Sequence, residues 1–404
     1  MSRTIAITAW IGLLSLALAA SLALRSVLDF KPGPNEFSIQ SWETRYFLHK
    51  WLYGFGRLLS AKPTLEQENQ HVSRFLALNS EINDLERQLS DAGSSGGPTE
   101  ALATDLASRR HERDGLSSEV AATFEGRVTA IAKREGLSRK LGPFFLLWPP
   151  VDLEFATPPR TLAASRRDKI ELTATTTLRP GLALTQVDQI EKEAERRPNV
   201  SALSFRLDGL GAYPTINEYP TNYRDAIALA AHEWTHNYLF FRPLGLRYYD
   251  SYDLRTINET VANTVGNEIA AEVVASWPLE AAAPLSEWSP ASQNGFDLGA
   301  ELRKLRGEVD GLLAAGNIDE AEALMEQRRQ DFAASGYRFR KLNQAYFAFT
   351  NLYAGATGNT GVTNPIGPKV DEVRKRAGSL GEFVRVAGNI KSAADLDRAL
   401  ARLQ

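Results

Sequence analysis

The sequence predicts an α+β protein, mostly helical, with helical hairpins around a domain that carries a small sheet and an N-terminal transmembrane helix ahead of both. Three observations predict it. The chain has 404 residues, 43% hydrophobic and 24% charged, which is folded-protein composition with room for one large or two ordinary domains. Most long segments repeat their apolar residues at the helical period, while strand-like segments are short and fall between about 151 and 207. From Thr4 to Leu24 there are 21 residues without a charge, bounded by Arg3 and Arg25. The expected divisions are a membrane anchor or signal segment over 1–30, a helical region over 31–148, and a domain with the sheet over 149–404.

The N-terminal span is long enough to cross a bilayer as a helix. A cleaved signal peptide is the alternative, with Ala17-Leu18-Ala19 as a cleavage site. The short positive tail before the span is expected inside, which places the rest of the chain outside the cytoplasmic membrane in a single-pass topology. Lys31-Pro32-Gly33-Pro34 reads as a linker. Trp42, Tyr46, Phe47, Trp51, Tyr53 and Phe55 follow, mixed with Arg45, Lys50 and Arg57. They form either a helix packed on the protein or one lying against lipid headgroups. Glu66 to Ala92 carries Phe75, Leu78, Ile82, Leu85 and Leu89 at heptad spacing. A glycine-rich turn then leads to a second helix, Thr99 to Glu135. Two such helices make an antiparallel hairpin, read either as a partner-binding arm or as a layer on the core.

After Pro149-Pro150 the pattern changes. Val151 to Ala156, Lys169 to Leu178 and Ser201 to Leu207 read as strands, and Leu184 to Arg197 as a helix. A long helix is expected around Ala226 to Tyr238 and another over Leu254 to Trp277. Ala300 to Leu313 and Ile318 to Ser335 form a second hairpin, at about 300–335. Phe339 to Ala354 reads as a helix with Asn343, Tyr346, Thr350 and Tyr353 on one polar stripe. Gly355 to Pro368 reads as a loop, and Val370 to Gln404 as two or three short helices.

The chemistry concentrates in Ala231-His232-Glu233-Trp234-Thr235-His236-Asn237, which contains H-E-x-x-H within a helix. Residues four apart share a face, so His232 and His236 can aim at one ion, with Glu233 beside it as general base for an activated water. The chain has no cysteine, which leaves His and carboxylate as the strong zinc ligands and rules out a disulfide framework. Only five histidines are present, and His49, His71 and His111 read as surface residues. Glu259 and Glu268 compete for the third ligand position; nine apart, they face opposite sides of a helix. Glu259 is chosen because Asn263 lies one turn on, as a hydrogen-bonding partner on the same face. The net charge of −3 gives no reason to expect a nucleic-acid partner.

H-E-x-x-H followed some twenty residues later by Asn258-Glu259-Thr260-Val261-Ala262, an N-E-x-x-A pattern, resembles the gluzincin metallopeptidases, the thermolysin-like branch of the zincins. The resemblance covers roughly Val200 to Trp277. It implies a zincin-like catalytic domain in which His232, His236 and Glu259 bind zinc and Glu233 is the base. It also implies a peptide or protein substrate, which the strand before the metal helix holds at the rim of the cleft. Leu207 to Tyr213, with Gly209 and Gly211 allowing close approach, is the candidate rim; the alternative is that these glycines only make a turn. Many members carry Asp where this chain has Asn263. For the donor to the oxyanion, Tyr346 is the first candidate and Tyr353 the second. The expectation is a membrane-anchored zinc metallopeptidase. The alternative is a non-catalytic tethered scaffold with a structural zinc, whose hairpins bind a protein partner.

Overall fold

The computed structural model describes residues 33–46, 63–95, 99–141, 144–279, 296–353 and 365–403. The apolar span Thr4 to Leu24, His49 and the aromatic residues from Phe47 to Phe55 lie outside these. Among the described residues no helix is long and apolar enough to cross a membrane.

The chain runs through α1 (Leu65–Ser95) and α2 (Glu100–Arg134), then the strand pair β1 (Arg139–Leu141) and β2 (Phe144–Leu146). Next come β3 (Leu153–Phe155), β4 (Arg160–Arg166), β5 (Leu172–Leu178), α3 (Leu184–Glu195), β6 (Val200–Arg206), β7 (Gly209–Leu210) and β8 (Thr215–Asn217). The helices α4 (Tyr223–Phe240), α5 (Pro243–Leu246) and α6 (Tyr252–Ser276) follow. The chain closes with α7 (Leu298–Ala314), α8 (Ile318–Ala334), α9 (Gln344–Thr350), α10 (Ile366–Arg376), α11 (Leu380–Gly388) and α12 (Ala393–Arg402). The protein is α+β and mostly helical, as the sequence predicts.

Among the described residues, besides the β1–β2 pair, the strands make two three-stranded sheets rather than one. In the first, β4 lies between β5 and β6, antiparallel to both. The sequence reading missed β4, whose residues alternate buried and half-buried without many large apolar side chains to mark them. In the second, β3 runs parallel to β8 and β7 pairs antiparallel with β8 as an outer strand.

The first hairpin is a layer on the core. Phe75 of α1 and Val120, Phe124, Val128 and Ile131 of α2 share one apolar cluster with Ile227, Ala231 and Trp234 of α4 and with Ile257, Val261 and Val265 of α6. Phe75 meets Phe155 of β3 with ring centroids 4.9 Å apart. Arg127 is buried in this layer, and its guanidinium donates to the Tyr223 hydroxyl at 2.6 Å and to Asn69 Oδ1 at 2.7 Å. Those bonds offset the cost of removing a charge from water. The described part of the aromatic segment also packs on the protein, since Trp42 Nε1 donates to the Pro214 carbonyl at 3.0 Å. The second hairpin, α7 with α8, builds a separate cluster from Leu302, Leu305, Val309, Met325 and Phe332, completed by Leu342 and Phe347.

α4 and α6 pack closely because small residues face each other. A Cβ on Gly266 of α6 would stand 2.6 Å from the Ala228 carbonyl oxygen and 3.3 Å from His232 Cβ. Substitution there would push the two ligand-bearing helices apart. α9 is shorter than the sequence reading gave. Asn343 caps it, accepting from the Tyr346 backbone N–H at 3.1 Å, and helix ends at Thr350. Just ahead of it, Arg340 reaches Asp188 and Lys341 reaches Glu195, so that segment is held by ion pairs rather than by helix bonds.

Candidate metal centre

Asn222 opens α4 by accepting from the Asp225 backbone N–H at 3.1 Å, and no Gly or Pro interrupts the helix. Its orientation is fixed on the buried side, where Trp234 Nε1 donates to the Pro149 carbonyl at 2.9 Å. That leaves His232 and His236 on the opposite face. α6 is capped by Ser251, which accepts from the Leu254 N–H at 3.2 Å, and it brings Glu259 back over the two rings.

His232, His236 and Glu259 form a group able to hold a metal ion. The Nε2 atoms of His232 and His236 are 3.0 Å apart, and each lies 3.5 Å from Glu259 Oε2. A tetrahedral ion with ligands at about 2.0–2.1 Å needs donor atoms about 3.3 Å from one another. The three donors lie within about 0.3 Å of that spacing, so the group could hold such an ion. Glu259 is almost wholly buried, at 4% exposure, so its charge needs a counter-ion. Burial works against a charge on His236, but the Glu259 carboxylate outweighs it, helped by Glu233 and Asn258, and raises this imidazole to about 9. Glu259 itself is held well below the usual carboxylate range, since His236 and His232 outweigh the effect of its burial.

Two partners orient the ligands, and neither was among the expected ones. His236 Nδ1 lies 2.8 Å from Asn258 Oδ1, the residue next to Glu259. Asn263, the expected partner, has a buried Nδ2 with no hydrogen bond. The Tyr248 hydroxyl donates to Glu259 Oε1 at 2.5 Å and so leaves Oε2 to face the imidazoles. Tyr248 comes from the loop after α5, where no periodicity marks it. Asn258 was legible in the N-E-x-x-A pattern as the residue beside the ligand. Glu268, the competing acid, points away from the two imidazoles into an ion pair. It takes a two-pronged pair from Arg374, with both N–O distances 2.7 Å.

Glu233 sits one residue round from His232, 6% exposed. Burial raises its carboxyl, Glu259 and Asp208 add to that, and the two histidines oppose it. A carboxylate raised in this way is a better proton acceptor for a water. The rim lies against it. A Cβ on Gly209 would fall 2.5 Å from Glu233 Oε1, and one on Gly211 would fall 2.8 Å from His236 Cβ. Only glycine lets this strand run so near the acid and the ligand. Asn237 of α4 donates to the Ala212 carbonyl at 2.8 Å and fixes the strand to the helix.

The polar stripe expected on α9 does not exist as one face, because the helix stops at Thr350 and Tyr353 lies beyond it. Tyr346 packs its ring against Phe339, 5.5 Å away, and Phe347, 5.4 Å away, beside the α7–α8 cluster. Tyr353, like Tyr248, feels the charge of Glu259. Burial first, then the charges of Glu259 and Glu233, push its phenol well above the ordinary value. His71, 2.7 Å from Glu119, and His111 are away from the centre on the first hairpin.

Comparison with known protein families, with curated proteins and with solved structures finds no match for this chain.

Proposed function

We propose that this protein is a zinc-dependent metallopeptidase with a zincin-like catalytic domain. The observation that carries the reading is the meeting of three donor atoms from α4 and α6 at 3.0, 3.5 and 3.5 Å, with Glu233 beside them. Zinc held by His232, His236 and Glu259 would polarise a scissile carbonyl and acidify a water. Glu233 would take a proton from that water as it attacks and deliver it to the leaving amine. Tyr353, whose phenol feels the charges of Glu259 and Glu233, is the candidate donor to the developing oxyanion in place of Tyr346, whose ring packs beside the hairpin cluster. The outer strand β7 offers main-chain groups to an extended peptide. Thr4 to Leu24 would tether the catalytic part to the outer face of a cytoplasmic membrane.

A closed structural zinc site uses four protein ligands. Among the described residues this group has three, which favours the catalytic reading over a scaffold. The test is digestion of a mixed peptide library by the purified full chain, with and without a chelator. Cleavage that stops on chelation, returns with zinc and is absent from Glu233→Gln supports the reading. A zinc-loaded protein that cleaves no peptide refutes it.

A further inference from the structure

Arg255 stands on α6 one turn ahead of Glu259, on the same side of the helix. Its guanidinium covers the Tyr248 ring, 5.1 Å from the centroid, and the His236 ring lies 6.2 Å from that same centroid. One tyrosine therefore links this cation to the metal ligands, and its hydroxyl donates to Glu259 Oε1 at 2.5 Å. Burial, then the charge of Glu259, raises the phenols of Tyr248 and Tyr353, and the Arg255 charge opposes that rise in both.

The guanidinium lacks a counter-charge. Among the described residues Arg255 makes no ion pair with a carboxylate. Glu259, one turn away, is already committed: Oε1 accepts from Tyr248 and Oε2 faces the two imidazoles. Asp250 lies 4.0 Å from Arg247, and Asp253, two residues before Arg255 on α6, points to another side of the helix. The one polar contact is from Nη2 to Thr175 Oγ1 of β5 at 3.4 Å, longer than an ordinary hydrogen bond. Nε is enclosed without an acceptor, while Nη1 has no partner among the described residues and is not enclosed. The side chain is not sealed in. Arg255 is half-buried, and the second ring it covers, Tyr249 at 5.5 Å, belongs to a residue 80% exposed. A planar cation partly withdrawn from water, with its outer edge unfilled, matches the two oxygens of a carboxylate.

Resting on the peptidase reading, we propose that Arg255 holds a carboxylate of the peptide substrate at the mouth of the centre. The carboxylate is either the C-terminus of the peptide or an Asp or Glu side chain. The guanidinium and His236 are no farther apart than their two distances to the shared ring taken together, which about three residues of extended chain span at about 3.3 Å each. The bond that is cut therefore lies within about three residues of the carboxylate.

Binding can be measured apart from cleavage. Zinc-loaded Glu233→Gln protein is titrated by fluorescence anisotropy with labelled hexapeptide libraries. One library ends in a free carboxylate and its twin in an amide; two further amidated libraries carry Glu or Gln at the fifth position. A carboxylate-bearing library is expected to bind at least tenfold tighter than its neutral twin at low salt, with a preference that shrinks as salt rises. Preference for the free acid identifies the C-terminus as the ligand, and preference for Glu over Gln identifies a side chain. Adding Arg255→Gln should abolish the preference, and Arg255→Lys should keep part of it, because charge remains and the fork is lost. Equal affinity within both pairs would overturn the proposal. So would an Arg255→Gln protein, folded by circular dichroism, that weakens charged and neutral libraries alike, since that marks Arg255 as a support for Tyr248 only. The wild-type chain is then given the same libraries. Carboxylate-selective binding without cleavage leaves the Arg255 site standing and removes the peptidase reading. Cleavage with no bias for a carboxylate removes the site and leaves the peptidase.

Discussion

Tyr248→Phe isolates one bond at the centre. The substitution deletes the hydroxyl that donates to Glu259 Oε1 at 2.5 Å and keeps the ring, with its centroid 6.2 Å from that of His236 and under the Arg255 guanidinium at 5.1 Å. A hydrogen bond to a charged acceptor contributes about 1.5–3 kcal/mol. If that energy fixes the carboxylate for the metal, zinc affinity should fall about 10- to 150-fold at roughly 1.4 kcal/mol per factor of ten. Partners of metal ligands elsewhere show losses of this size. The assay is competition for zinc against a chromophoric chelator, with circular dichroism to confirm the fold. Tyr249→Phe, on an exposed neighbour, is the control and should leave affinity unchanged. A Tyr248→Phe protein that is folded and holds zinc as tightly as wild type would refute the assignment of Tyr248 as the group that sets Glu259.

Other predictions test the remaining parts. Glu233→Gln should keep one zinc per chain and lose hydrolysis, whereas His232→Ala or Glu259→Ala should lose both; metal analysis beside a peptide assay separates them. Gly209→Ala brings a methyl to 2.5 Å from the Glu233 carboxylate and should abolish cleavage while zinc content stays normal. Phe75→Ala, at a fully buried site in the shared core, should cost about 3–5 kcal/mol in denaturant unfolding, and a cost near zero would make the first hairpin an independent arm. The Arg167 hydrogen bond, then Gln344, hold the Glu322 carboxyl below its ordinary value against the effect of burial. Its folded value is therefore lower than its unfolded one. The stability it adds is present above the ordinary glutamate range and is lost as pH falls through the folded value. Glu322→Gln should accordingly show a shallower loss of melting temperature on acidification than wild type.

The parts legible in the sequence were those where period and spacing carry the structure. The pair of histidines four apart follows from helical geometry, Glu259 was picked on a partner, Asn263, that does not make the bond, and the boundaries of α2, α4 and α8 fall within a few residues of the expected ones. What was missed depends on contacts between distant segments. β4 is held by partners on both sides rather than by an alternating apolar face. Tyr248 reaches Glu259 only because α5 and its loop reverse the chain. α9 was read too long because Asn343 was counted into a stripe, where its side chain is a cap. The expectation of Asn263 assumed that a ligand's partner must lie one turn away, but Asn258, beside the acid on a second helix crossing the first, reaches the His236 ring instead.

The glycine strand above the centre is tied down along its length. Asn237 grips the carbonyl of Ala212, the buried Glu43 accepts from the Tyr213 N–H at 3.2 Å, and Glu218 N–H closes onto the Asp208 carbonyl at 2.8 Å. A jaw bolted at three places does not swing. On the peptidase reading proposed above, motion that admits a substrate would fall to the short surface turn that carries Tyr248 beside the solvent-exposed Tyr249. Because that same turn carries the hydroxyl set against Glu259, widening the mouth and loosening the grip on the cation would be one movement.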